Sequence, residues 1–154
     1  IWIDVFPLDG NPNDRVKTEK LYKKVARYRR ILSLRNANPW EGRTWYVRIT
    51  KPFVVGLLQV LPNHFLCSKM DSISKTYSYQ TSTYVGGVLW GYGARESMDK
   101  KVFQEQKKVA FEQGNFPAPI GYQIYLSRLY GKYMVLPPKE KRITHILDAY
   151  LREN

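Results

Sequence analysis

Asp4 is the carboxylate with the most chemical interest in this sequence, because it sits inside the apolar run Ile1-Trp2-Ile3-Asp4-Val5-Phe6. An ionised carboxylate in such a strand is costly unless it is paired or coordinates a metal. That makes Asp4 a candidate metal ligand and catalytic acid; the other reading is a carboxylate facing solvent on a half-exposed strand, or capping the loop that follows. Asp9, in Leu8-Asp9-Gly10, has the simpler account of a turn residue, since Asp-Gly is a common turn dipeptide. Far along the chain, Lys141, Arg142 and His145 follow the Leu136-Pro137-Pro138 turn. They offer donors to phosphate oxygens, where charge-assisted bonds are the strong ones, or they are surface charge on a rigid proline turn.

Other pairings carry less. His64 and Cys67 make a His-x-x-Cys pair, but a structural zinc site takes about four ligands and the chain has two His and one Cys. Gly91-Tyr92-Gly93 lacks the Gly-Lys-Ser/Thr ending of a phosphate-cradling loop.

The elements that position these residues follow from periodicity and punctuation. Residues 1–6 read as a strand and 7–12 as a turn-rich loop. Asn13 or Asp14 caps a helix to about residue 36, with Leu21, Val25, Tyr28 and Leu32 on one face and Lys20, Lys23, Lys24, Arg27 and Arg30 mostly on the other. Such a basic stripe reads as solvated surface before it reads as a polyanion contact. Two further helices are predicted at about 45–61 and 63–77, with Pro52 and Pro62 near their starts or kinks. Residues 83–90 have strand composition, with glycines that permit close backbone approach. A strand pair is predicted within 101–112, a loop over 114–119, a short helix over 120–130 ended by Gly131, and a last helix near 143–151. Strand, helices, strands, helices is the order of an α+β fold.

With 154 residues the chain fits a single domain with a real core. Lys and Arg number 25 against 13 Asp and Glu, a net charge of +12. This favours anionic partners such as nucleotides, phosphorylated polymers, nucleic acid or an anionic membrane face, unless an acidic upstream segment balances it. The single cysteine excludes an internal disulfide and suits a reducing compartment. The longest apolar run, residues 53–61, falls far short of the roughly 20 residues that cross a bilayer. Because the chain opens inside an apolar stretch whose strand partners are expected upstream, we expect residues 1–154 to be one domain fragment of a longer protein.

Three blocks resemble the LicD family. They are Ile3-Asp4-Val5-Phe6-Pro7-Leu8-Asp9-Gly10; Phe111-Glu112 with Phe116-Pro117-x-Pro119-x-Gly121-Tyr122 and Tyr125-Leu126; and Leu129-Tyr130-Gly131-x-Tyr133-Met134-x-Leu136-Pro137-Pro138-x-Glu140-Lys141-Arg142-x-x-His145. They fall in the family's order and span almost the whole chain, residues 13–80 being only loosely similar. The resemblance implies the C-terminal part of a nucleotidyltransferase-like fold, a small mixed sheet with several flanking helices. It implies transfer of phosphocholine, or in the fukutin-related branch ribitol phosphate, from a CDP-activated donor to a cell-surface glycan or lipid-linked glycan. It also implies Mg²⁺ or Mn²⁺ held by three carboxylates, with Asp4 as the third and Asp9 as a further catalytic candidate. Glu112, Lys141, Arg142 and His145 are then substrate-binding candidates. The family's acidic pair is absent, for no Asp-x-Asp occurs here, so the fragment alone is expected to be inactive. Lys132 stands where an Asp is expected after Tyr-Gly. A cytoplasmic site of action, at the inner face of an anionic membrane and without nucleic acid as partner, goes with this reading. The competing readings are a nucleotide-attaching enzyme of the same fold and a non-enzymatic basic module that binds nucleic acid.

Overall fold

The computed structural model describes residues 5–42, 44–89, 91–136, 138 and 140. In chain order they form β1 (Asp9–Asn11), α1 (Arg15–Arg35), α2 (Trp45–Leu58), α3 (Asn63–Ser74), β2 (Tyr84–Gly86), a 3-10 turn (Ala94–Glu96), β3 (Met98–Asp99), α4 (Lys101–Gln104), β4 (Gln106–Phe111), β5 (Gly114–Pro119) and α5 (Tyr122–Tyr130). The class is α+β as expected. The sheets are not mixed among the described residues: one has the order β1-β2-β3, the other is the hairpin β4-β5, and every pairing is antiparallel.

α1 starts where its cap is. Asp14 has extended backbone and its side chain accepts the Lys17 N–H at 2.7 Å, satisfying one of the helix's unpaired donors. Leu21, Tyr22 and Val25 are buried, with Tyr28 and Leu32 half-buried behind them, so the predicted face is the one that packs. It meets Met70 and Ile73 of α3 and Val88 after β2. Arg35, in the last turn, bonds the Leu61 carbonyl at 2.6 Å and Asn63 Oδ1 at 2.7 Å, which fixes the α2–α3 link against the end of α1.

A second small core, Met98, Val102 and Leu129 with Phe103 and Tyr125 against it, joins β3 and α4 to α5. Gly131, with φ 67°, ends α5 as its position in the sequence predicted.

Four expectations change. Of the strand expected over 1–6, residues 1–4 lie outside the described residues and Val5 and Phe6 have no regular structure; among the described residues pairing begins at Asp9, inside the segment expected to be a loop. The reason lies in Gly10 and Asn11. A Cβ at Gly10 would lie 2.6 Å from the Tyr77 and Ser78 carbonyl oxygens, so only glycine lets the strand pass there. The Asn11 side chain is buried, and with its amide oxygen turned to the donors around it, that oxygen accepts from Gly86 N–H, the Ser97 hydroxyl and the Tyr22 hydroxyl. The strand expected over 83–90 shrinks to Tyr84–Gly86. Val102-Phe103 is helical, with Asp99 Oδ1 accepting the Lys101 N–H at 2.9 Å and starting the turn. Residues 114–119 form β5, although two of them are proline. Prolines are tolerated in an edge strand, and β5 has β4 as its partner. The helix expected at 143–151 lies outside the described residues.

Candidate functional site

Where the lead into β1, the loop after β2, the end of β5 and one face of α5 come together, they enclose a cleft of about 600 Å³. That is the size of a small-molecule site. Phe6, Pro7 and Leu8 form one wall, Ala118 and Pro119 another, and Phe103, Tyr122, Tyr125 and Tyr130 supply most of the rest. The rings are held by one another. Tyr92 and Tyr130 meet edge to face with centroids 5.6 Å apart, and the Tyr130 hydroxyl donates to the Tyr92 hydroxyl at 3.3 Å. Phe103 and Tyr125 make a second edge-to-face pair at 5.7 Å.

Into this apolar space projects one carboxylate, Glu96, only 6% exposed. Its Oε1 accepts the Tyr92 N–H at 2.5 Å. Glycines make room for it: a Cβ at Gly87 would stand 2.6 Å from Glu96 Oε2, and one at Gly91 would meet the same oxygen at 2.5 Å and the Gly87 carbonyl closer still. At Gly86 the Tyr22 hydroxyl and the Glu96 carbonyl occupy the Cβ position. The glycine-rich stretch is thus a cradle for a buried acid.

The field of that acid is legible in its neighbours. The Tyr125 phenol is pushed up by burial first and then by Glu96 and Tyr92. Tyr130 is pushed up to about 12, mainly by its hydrogen bond to Tyr92, then by burial and by the charges nearby, Glu96 among them. Tyr22, buried beneath the cradle, is raised by burial, with Glu96 and Asp9 adding to it. All three phenols keep their protons at neutral pH and serve as neutral rings and hydroxyls.

Asp9 stands next to this wall, one residue past Leu8 and paired across the sheet with Gly86. Burial raises its carboxyl; the Val88 amide and the Ser74 hydroxyl lower it without cancelling the effect. Asp9 Oδ2 is buried without a hydrogen bond. One orphaned oxygen is not a Mg²⁺ site, which takes several oxygen ligands around the ion. Among the described residues no three His, Cys, Asp or Glu side chains cluster to hold a metal. These residues alone do not fit the divalent ion that the resemblance implies.

Of the other residues singled out in the sequence, Asp4, Lys141, Arg142 and His145 lie outside the described residues. Glu112 is placed at the tip of the β4–β5 hairpin, exposed and with φ 51°. Six strand residues at about 3.3 Å each separate it from the end of the hairpin that borders the cleft. His64 and Cys67 are exposed on α3. Sequence reasoning missed Glu96, whose signal was the glycines around it, Gly86-Gly87 and Gly91-x-Gly93. The turn Ala94–Glu96 also sorts charge: Arg95 lines a separate cavity of about 380 Å³ with Arg15 and Arg128, while its neighbour Glu96 lines the aromatic cleft. Arg95 lies 5.1 Å from the Tyr92 ring centroid, linking the two.

A cleft walled by tyrosines, with one buried carboxylate and no lysine or arginine among the described residues that line it, suits an organic cation. That is notable in a chain of net charge +12. The sequence is 31% identical, over 158 aligned residues, to the lipopolysaccharide cholinephosphotransferase LicD of Haemophilus influenzae. The alignment takes in 98% of this chain and 57% of that relative, in its C-terminal portion. The chain belongs to the LicD family. It spans a little over half the length of the curated LicD relative it matches. No protein-family model matches the sequence and no solved structure matches it.

Proposed function

We propose that this LicD-family chain is part of a transferase that moves phosphocholine from a CDP-linked donor to a surface glycan, lipopolysaccharide being the acceptor named for the relative. The observation that carries the reading is the tyrosine-walled cleft with Glu96 buried in it. A trimethylammonium group is bound by ring faces and by a desolvated carboxylate, and cation–π contacts reach about 2 kcal/mol when water is excluded. Tyr125 and Tyr130 stay neutral and with Tyr92 present their rings, Glu96 supplies the countercharge, and Gly87 and Gly91 keep space for it.

The phosphate of the donor would lie towards Arg95 and Arg128, which line the neighbouring cavity beside the Arg15–Glu19 pair; guanidinium groups pair well with phosphate oxygens. The acceptor hydroxyl oxygen attacks the phosphorus next to choline, a new P–O bond forms in line as the bond to CMP breaks, and CMP leaves with the electron pair. The hydroxyl proton is assigned to Asp9, which lies one residue past the cleft wall at Leu8 and opposite Gly86 and whose carboxyl is raised by burial. Mg²⁺ or Mn²⁺ held in part by Asp4 would neutralise phosphate charge, and Lys141, Arg142 and His145 belong to the same proposal as substrate contacts; Glu112, at the far tip of the β4–β5 hairpin, would touch only an extended acceptor. A CDP-linked donor goes with a cytoplasmic site of action.

The test is product analysis with the intact protein, CDP-choline and a glycan acceptor. Release of CMP is expected, with Glu96→Gln lowering kcat/KM about tenfold, chiefly through KM. Release of pyrophosphate from CTP instead, or an unchanged KM in Glu96→Gln, would overturn it.

A further inference from the structure

α2 is built the wrong way round for a helix of a globular core. Val55 is its one buried residue. At 100° per residue, Trp45, Tyr46, Ile49, Phe53 and Leu57 fall within a single arc of about 120°, and this arc faces outward: Trp45, Phe53 and Leu57 are 74, 77 and 75% exposed. Val60, just past the helix, continues the stripe at 79%. A contiguous exposed face of this many large apolar side chains marks an interaction surface, not the scattered single residues of an ordinary surface. Lys51 and Arg48 lie off the stripe; Lys51 donates to the Glu41 carbonyl at 2.7 Å and Arg48 to the Gly42 carbonyl at 3.0 Å.

We infer that this face docks the protein on an anionic lipid surface. Charge decides between the occupants. From residue 42 to residue 70 the sequence has no Asp or Glu, while Arg43, Arg48, Lys51 and Lys69 are all basic. Arg30 and Lys51 line one shallow surface between α1 and α2. A second copy docking face to face would bring two acid-free, basic segments against each other, whereas an anionic headgroup layer meets such a segment with the opposite sign. An apolar face of Phe, Leu and Ile with Trp45 and Tyr46 at one end, and with Arg48 and Lys51 on the other side of the helix, has the composition of a helix lying in the bilayer interface. No described helix is long and apolar enough to cross a membrane, so the helix lies on the surface and does not span it. Docking through α2 does not depend on what the cleft binds.

The experiment is co-sedimentation of the intact protein with vesicles of phosphatidylcholine alone and of phosphatidylcholine mixed with phosphatidylglycerol. Binding to the mixed vesicles is expected to be at least about tenfold tighter than to the neutral ones. Phe53→Asp with Leu57→Asp should weaken it about tenfold or more, with the far-UV circular dichroism unchanged because both side chains are exposed. Arg48→Glu with Lys51→Glu should remove the preference for the anionic vesicles while leaving the residual neutral binding. No vesicle binding, or binding indifferent to the Phe53 and Leu57 changes, would overturn the inference. So would a wild-type dimer that these changes dissociate without any lipid binding.

Discussion

The aromatic cleft and the outer face of α2 draw on the same residue types and end in opposite states. In the cleft the rings are pinned in place, with Tyr130 tied to Tyr92, Phe103 against Tyr125, and Arg95 resting on Tyr92. On α2, Trp45 stacks edge to face on its neighbour Tyr46, at 6.1 Å, and Ile49, Phe53 and Leu57 stand outward. Their electrostatic settings are reversed as well. The cleft encloses a carboxylate and, among the described residues, is lined by no lysine or arginine; residues 42–70, which include α2, carry basic residues and no acid. An aromatic content of 14% therefore says little by itself. What distinguishes a ligand cleft from a docking face is whether the rings are held, and which charge they surround.

The largest expected effect breaks the cleft at its cradle. Gly91→Ala puts a methyl group onto Glu96 Oε2 and the Gly87 carbonyl, and should cost about 2–3 kcal/mol of stability, as overpacking against backbone does. Thermal unfolding would show it, whereas Gly56→Ala on α2, where a Cβ meets nothing within 4 Å, should be neutral or slightly stabilising.

Asp9→Asn should separate stability from function. The folded-state carboxyl is raised by burial, so ionised Asp9 disfavours the folded state at neutral pH, and this cost is relieved as pH falls through the raised pKa towards the ordinary value. The variant should melt above wild type at pH 7, the two converging on acidification, while transfer by the intact protein falls by about 10²-fold, the low end of general-base effects. A variant less stable than wild type at pH 7 would mean that Asp9 is a structural anchor.

Smaller again is Tyr130→Phe. It removes one half-exposed hydrogen bond and should cost about 1 kcal/mol or less, seen as a modest drop in melting temperature. Its edge-to-face packing on Tyr92 survives, so the cleft should still bind its ligand. A large loss of binding would show that the hydroxyl, and not the ring, contacts the ligand.

Much of the helical frame was legible because it obeys local rules. α1 was readable from Leu21, Val25, Tyr28 and Leu32 and from its Asp14 cap, and α5 from Gly131 at its end. What was illegible depends on contacts distant in sequence. β1 exists because Asn11 bonds β2 and α1 across the core, and nothing near Asn11 announces that. β5 looked like a loop because of its prolines, which its place at a hairpin edge tolerates. Periodicity found α2 but not its orientation, since an apolar stripe reads identically whether it faces a core or faces outward. Asp9 was visible as a turn residue, but the burial of its orphaned oxygen depends on contacts distant in sequence. Glu96 was hidden behind Gly91-Tyr92-Gly93-Ala94-Arg95, because glycines in a row suggest a phosphate loop before they suggest room for an acid.

The central claim is that the cleft recognises a quaternary ammonium group through its rings and Glu96, and calorimetric titration of the intact protein with phosphocholine and phosphoethanolamine tests it most directly. These ligands share a phosphate and differ in the three methyl groups that cover the cation. The account predicts that phosphocholine binds at least about tenfold tighter, and that Glu96→Gln and Tyr125→Leu each remove most of that difference, a loss on the scale of about 1–2 kcal/mol for a desolvated cation–π contact. Equal affinity for the two ligands, or a preference for phosphocholine that survives both substitutions, would contradict it.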